Sequence, residues 1–330
     1  MQNQYFVGID VAKRQNVATI SDLKANFQTF SFSNNHCGVL ELMKQISHLK
    51  NNQVILGVEA TGIYHLPLCH SITNLGYKIK VINPLLTKRM AKATIRKTKT
   101  DKIDSKHIAN MLKNGDGHLF CESKVITKLK TLTRHRLFLQ NTIRQMKAHN
   151  ETIKFRESIF TGQEKDILSS TRSETDKIVQ NLEQKKQELT KQIIQMSKNI
   201  AEVQYLKSIP GISPQLAAGI YCEIGDIARF SSPSSLIAFA GIDPSVNQSG
   251  QSKNKTGKIS KRGSPYLRYY LFIAAKAAVR CDKDLKQYYQ KKKIEGKHYY
   301  IRLIAVSRRL LLRIHRILID KRFYIIHKNI

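Results

Sequence analysis

Residues 5–32 read YFVGIDVAKRQNVATISDLKANFQTFSF. Three runs rich in Val, Ile, Phe and Thr, at 5–12, 15–23 and 25–32, are separated by short polar breaks, the pattern of three successive strands. Working outward, Asn34-Asn35 can cap a helix through GVLELMKQISHL (38–49). QVILGVEA (53–60) is a short apolar run of buried-strand type, and IYHLPLCHSITNL (63–75) reads as a helix. YKIKVINP (77–84) is a fifth strand stopped by Pro84. A basic stretch from Lys88 to Lys102 leads to a helix over about 101–113, punctuated by Gly115 and Gly117.

Three consecutive strands followed by alternating helix and strand is the order of an RNase H-like α/β domain. A doubly wound nucleotide-binding sheet alternates from its first strand and carries a glycine-rich turn there. No such turn follows Asp10. Four carboxylates fall at informative places in this order. Asp10 ends the first strand, Glu59 ends the fourth, and Asp101 and Asp104 lie three apart on one helix face. Taken singly, each has an ordinary explanation, such as a turn or the complement of a helix N-terminus. Together they form an oxygen-rich set suited to Mg²⁺ or Mn²⁺.

The whole chain of 330 residues carries 56 Lys+Arg against 24 Asp+Glu, a formal net charge of +32. The excess is uneven, because 251–330 holds 22 basic residues and only 4 acidic ones. Nucleic acid is the partner that such a field fits, through phosphate neutralisation and counterion release. A membrane is the weaker alternative, since no long uncharged apolar run spans a bilayer and the N-terminus lacks a signal-peptide pattern. Acidic residues at strand ends of so basic a chain point to metal-assisted chemistry on phosphates. The five cysteines are scattered without a CxxC pair, which fits reduced thiols and argues against a zinc site. His65, Cys69 and His70 are close in sequence, but they read as packing and surface residues of an amphipathic helix.

Beyond residue 120 the chain changes character. Leu182, Leu189, Ile193, Met196, Ile200 and Val203 form an a/d seam, and 125–153 forms a second, less regular helix. Phe155 to Asp166, with Gly162, separates the two. Two readings stand side by side: an intramolecular helical hairpin, or a coiled coil that pairs protomers. SIPGISPQLAAGIYCEIG (208–225) resembles a helix-hairpin-helix, whose turn at Pro210-Gly211 offers N–H groups to phosphates. SSLIAFAGIDP (234–244) is a further short helix and turn, followed by the polar loop VNQSGQSKNKTGKISKRG (246–263). Ser264-Pro265 opens a helix, and 298–319 reads as a last helix, apolar on one face and arginine-studded on the other. The domains expected are thus 1–120 (α/β), 121–205 (helical hairpin or coiled coil) and 206–330 (mainly α).

VGIDVAK, EATGIY, KTKTDKIDSKHIANML, SIPGISPQLAAGI and SKRGSPYLR follow one another along nearly the whole chain. In this order they resemble the DEDD transposases of the insertion-sequence 110/1111 family. The resemblance implies a RuvC-like domain whose acidic residues are Asp10, Glu59, Asp101 and Asp104, a coiled-coil linker, and a C-terminal transposase domain with a nucleophilic serine. The family's Ser-Gly falls on Ser249-Gly250, with Ser245 and Ser252 as neighbouring alternatives. Lys253, Lys255, Lys258, Lys261, Arg262, Arg268 and the Gly211 turn are then candidate nucleic-acid contacts.

The implied partners are donor and target DNA, an element-encoded non-coding RNA that bridges them, and further copies of the chain in a dimer or tetramer. The implied location is a bacterial-type cytoplasm, at the nucleoid. The activity expected is strand cutting and rejoining by Ser249 beside a metal-binding carboxylate set. A site-specific invertase of the same family and a RuvC-type metal-dependent junction nuclease are the rival enzymes. A non-enzymatic nucleic-acid packaging protein explains the charge but not the placement of the carboxylates.

Overall fold

The computed structural model describes residues 4–24, 26–60, 64–84, 86–87, 100–121, 123–244 and 259–325. It divides into two compact units, Met1–Glu122 and Ser123–Ile330.

The first unit is built on a six-stranded sheet in the order β3-β2-β1-β4-β5-β6. The strands are β1 (Tyr5–Asp10), β2 (Gln15–Ser21), β3 (Phe27–Ser33), β4 (Val54–Glu59), β5 (Lys78–Ile82) and the short β6 (His118–Leu119). β1, β2 and β3 form an antiparallel meander, while β4 lies parallel to β1 and β5 parallel to β4. β6 closes the other edge antiparallel to β5. It was not visible in the sequence, because two residues carry no periodicity. Helices α1 (His36–Ile46) and α2 (His65–Asn74) cover one face, where Val7, Ile9, Leu56 and Val58 pack with Leu42, Ile46, Leu68 and Ile72. Cys69 is fully buried in this layer, and His70 meets Phe120 edge-on at 4.9 Å.

Helix α3 (Asp101–Lys113) covers the opposite face. Its start follows from Thr100, whose side chain accepts from the Ile103 N–H. Gly8 and Gly57 are register partners on the two central strands. A Cβ on Gly8 would collide with the main chain of Ser105 and Ala109, and one on Gly57 with the side chain of Leu112. Paired glycines therefore let α3 lie directly on the sheet. Phe6, Ile82, Ile108, Met111 and Leu112 fill the rest of that contact, and the Thr19 and Ser105 hydroxyls bond across it at 2.7 Å.

The second unit begins with two long helices, α4 (Lys124–Glu157) and α5 (Gln163–Ser197). Their cross-contacts run in reverse order: Arg136 with Thr190, Lys147 with Glu183, Asn150 with Asp176 and Glu157 with Arg172. They pair with each other as an antiparallel hairpin within the chain. The expected seam to Val203 is interrupted, since α5 stops at Ser197 and Ile200 is extended before α6 (Ala201–Lys207). Helices α7 (Pro214–Ile224), α8 (Pro233–Ala240), α9 (Pro265–Cys281), α10 (Lys283–Ile294) and α11 (Tyr299–Asp320) complete the unit. One continuous core joins them to Leu129 and Ile193 at the base of the hairpin. On α11, Leu303, Val306, Leu310, Ile314 and Ile317 are buried. On its basic face Arg309 lies 3.4 Å from the centre of the Tyr288 ring. No described helix is long and apolar enough to cross a membrane.

Candidate active site

The register that pairs Gly8 with Gly57 and Ile9 with Val58 sets Asp10 beside Glu59 at the ends of adjacent parallel strands. Alternation puts both side chains on the face covered by α3, because Phe6, Gly8 and Gly57 already point there. The direction of α3 follows from its contacts. Ser105 sits on Gly8, whereas Lys113 donates to the Leu23 carbonyl, beyond Ser21, the register partner of Phe6 further back along β1. The helix N-terminus therefore points towards the strand ends. From Gly8 to Asp10 the strand advances about 6.6 Å. From Ser105 back to Asp101 the helix rises about 6 Å, obliquely to the strands, since Leu112 further along it lies over Gly57 on the next strand. Asp101 and Asp104 continue the stripe of Ser105, Ile108, Met111 and Leu112 past the end of the apolar contact.

Asp10 and Glu59 thus end adjacent strands on the face that α3 covers, and Asp101 and Asp104 stand in the first turn of α3. Asp101 is exposed, and Asp10, Glu59 and Asp104 are half-buried. Their donor chemistry fits Mg²⁺ or Mn²⁺, which take carboxylate oxygens and retain waters. Among the described residues, no three His, Cys, Asp or Glu side chains stand close enough together to hold an ion.

In the second unit, Ser249, Gly250, Lys253, Lys255 and Lys258 lie outside the described residues, as do Ser245 and Ser252. The chain on either side of them is tightly fixed. Pro244 and Ile259 form an antiparallel bridge, and the Ser260 N–H donates to the Asp243 carbonyl at 2.9 Å. The Ser260 hydroxyl also donates to the Asp243 carboxylate. Lys261 adopts φ +54, and its N–H donates to the Gly241 carbonyl at 3.1 Å. Gly263 (φ +73) lies where a Cβ would strike the Phe239 carbonyl. Lys261 and Arg262 are exposed at this corner. Arg268, one turn into α9, donates to the Ala240 carbonyl at 2.9 Å, and burial lowers the pKa of its guanidinium. Gly211 (φ +91) has its Cα against the main chain of Ala277 and Ala278 in α9, so close packing alone accounts for glycine there.

Beneath the corner is a group that the sequence reading passed over. Glu223, 2 % exposed, accepts from Arg134 Nε at 2.7 Å and Nη2 at 3.0 Å, and from the Ser264 hydroxyl at 2.8 Å. Ser264 caps α9 by accepting from the Leu267 N–H at 3.1 Å. Arg134 also lies over the Tyr266 ring at 4.3 Å. The available signal was a lone acidic residue inside the apolar stretch LAAGIYCEIG, 216–225. Its partner, 89 residues away, was not legible.

Comparison with known proteins places these features in a family. A family model of IS110-type DEDD transposases matches residues 7–160, and the model described as transposase IS116/IS110/IS902 family matches residues 203–290. A pilin gene-inverting protein of Moraxella lacunata is 29% identical over 277 residues, covering 82% of this chain and 81% of the relative. A putative transposase of Sinorhizobium fredii is 25% identical over 292 residues, covering 82% of this chain and 70% of the relative. A probable family 20 transposase of Pseudomonas aeruginosa is 34% identical over 103 residues, 31% of this chain and 30% of the relative. With the first model spanning the carboxylate sheet and the second spanning the basic corner, the chain belongs to the IS110 family of DEDD transposases.

Proposed function

We propose that this protein is a DNA transposase or recombinase that cuts and rejoins strands through a serine nucleophile assisted by metal-bound carboxylates. The observation that supports the reading is Asp10 and Glu59 at the ends of adjacent strands, with Asp101 and Asp104 in the first turn of the helix that covers that face, in a chain of net charge +32. The first unit is RNase H-like on this reading, with the four carboxylates holding Mg²⁺ or Mn²⁺. The chemistry that such an ion would supply there is neutralisation of charge on the scissile phosphate. Ser249 attacks phosphorus: a new Oγ–P bond forms, the bond from phosphorus to the 3′ oxygen breaks, and the serine proton passes to solvent while the 3′ oxygen takes one up. The phosphoserine ester retains the energy needed for religation.

Lys253, Lys255, Lys258, Lys261, Arg262, Arg268 and the Gly211 turn are proposed to hold the phosphate backbone. The basic C-terminal unit fits DNA and an element-encoded bridging RNA alike. The hairpin of α4 and α5 is proposed to mediate oligomerisation as a coiled coil. Exposed Phe155, Ile159 and Ile167 near its turn support that role. The protein is assigned to the bacterial cytoplasm, at the nucleoid. The three-part division into 1–120, 121–205 and 206–330 is retained as a functional one.

Ser249→Ala is expected to abolish covalent protein–DNA adducts while leaving DNA binding intact, measured by denaturing gel shift and filter binding. Adducts that persist in Ser249→Ala but vanish in Ser245→Ala or Ser252→Ala move the nucleophile. Metal-dependent nicks with free ends and no adduct indicate a junction nuclease. Site-specific inversion is a second reading, favoured by the long match to a pilin gene-inverting protein. Sequencing the products separates an inverted segment from an inserted element.

A further inference from the structure

We infer that Glu223, held by Arg134, is a positioning residue for DNA at the Ser260–Gly263 corner. The inference rests on the proposed function, in which Lys261 and Arg262 grip the strand being cut.

Both Glu223 oxygens are engaged by donors from two other helices, Arg134 on α4 and Ser264 at the start of α9. A buried ion pair is a poor device for stability alone, since apolar side chains of similar volume often serve as well. What a two-pronged guanidinium–carboxylate contact supplies is fixed orientation. Here the orientation is passed outward by a short series of contacts. The Ser264 hydroxyl donates to Glu223 and accepts from the Leu267 N–H, so its rotation is set. The Ser264 N–H donates to the Phe239 carbonyl at 2.8 Å, and the adjacent Gly263 lies against that same carbonyl. The next residues outward are Arg262, whose N–H donates to the Ser260 hydroxyl at 3.3 Å, and Lys261 in the left-handed region.

A non-glycine residue at positive φ persists where its surroundings over-determine it. The corner therefore combines two exposed cations, a strained main chain and a fully engaged buried carboxylate beneath them. That combination suits a phosphate grip whose angle matters.

The test is a cycle of Glu223→Gln, Arg262→Ala and the double variant in the full-length chain. The probe is a labelled DNA duplex carrying the element's end, titrated across a range of salt. Arg262→Ala should weaken binding and reduce the salt slope by about one phosphate contact. Glu223→Gln should reproduce that slope change, move the thermal midpoint by only a few degrees, and add no further loss on the Arg262→Ala background. At saturating DNA, Glu223→Gln should also slow single-turnover adduct formation about tenfold or more.

Multiplicative losses in the double variant, or a fall in thermal midpoint with wild-type binding and rate, overturn the inference. If Glu223→Gln does not fold, Ser264→Ala and Ser264→Thr replace it: Thr should restore binding and rate, Ala should not, and Ala at wild-type values overturns the inference. A wild-type protein that forms no serine-linked adduct refutes the proposed function. The binding cycle still reports on the corner in that case.

Discussion

The carboxylate end of the sheet and the basic corner of the helical unit are both made by close main-chain approach at glycine, but different forces hold them. In the first unit, Gly8 and Gly57 let α3 press on β1 and β4, and the contact is apolar: Phe6, Ile82, Ile108, Met111 and Leu112. The charges sit beyond the end of that contact. In the second unit, Gly241 and Gly263 admit an equally close approach, but a charge lies beneath it, Glu223 with Arg134 and Ser264. A steric contact places a group by excluding alternatives. A buried ion pair places it by direction, at the risk of an uncompensated charge if one partner is lost.

This contrast can be broken most sharply at Arg134. Arg134→Ala leaves the Glu223 carboxylate buried without its main partner and is expected to cost about 3–5 kcal/mol, read by urea unfolding with far-UV circular dichroism. The paired change Arg134→Met with Glu223→Leu should recover most of that loss, and failure to do so means that the pair stabilises more than it orients. Gly8→Val forces a side chain onto the main chain of α3 and is expected to cost about 3 kcal/mol, the upper part of the range for overpacking. A cost below about 1 kcal/mol shows that α3 can lift, and with it Asp101 and Asp104.

Asp101→Asn separates the bland account of that carboxylate from the chemical one. As a helix-dipole complement alone it is worth about 0.5 kcal/mol, with catalysis unchanged. As a metal-binding residue its loss abolishes divalent-dependent strand cutting at the same small stability cost. The smallest effect is expected at the exposed pair Lys147–Glu183 on the hairpin. The hydrogen bond from Lys147 lowers the Glu183 carboxyl below its ordinary value, so its contribution is present at neutral pH and disappears as pH falls through the folded value. Glu183→Gln should leave the neutral-pH thermal midpoint within error of wild type.

The strands were legible as short runs rich in Val, Ile, Phe and Thr bounded by polar breaks, because strands covered on both faces need apolar residues at successive positions, and β1, β2, β4 and β5 fall within those runs. Placing Asp10 and Glu59 at strand ends needed nothing more. Helix α3 was legible as a run ended by Gly115 and Gly117, but not that Gly8 and Gly57 face each other under it, since strand register joins residues 49 apart. The seam read through Val203 was over-extended: periodicity continues past Ser197, but Ile200 leaves the helix and α6 starts in a new direction. Helix α10, with its run of lysines, gave little apolar signal, and only Leu285 is buried there.

By itself, the sequence determined the charge of the chain, the strand order at its start, the four acidic positions and the motifs that assign it to its family. These are local or compositional properties, set by apolar runs, chain breaks and residue type. The tertiary structure alone decided that α3 lies on the face bearing Gly8 and Gly57, that α4 and α5 fold back on each other, and that Arg134, Glu223 and Ser264 meet beneath the basic corner. Those pairings span 41 and 89 residues, and no local rule carries them. Chain folding brings such groups together only when the core around them closes, and the low dielectric of that core then makes their contact specific.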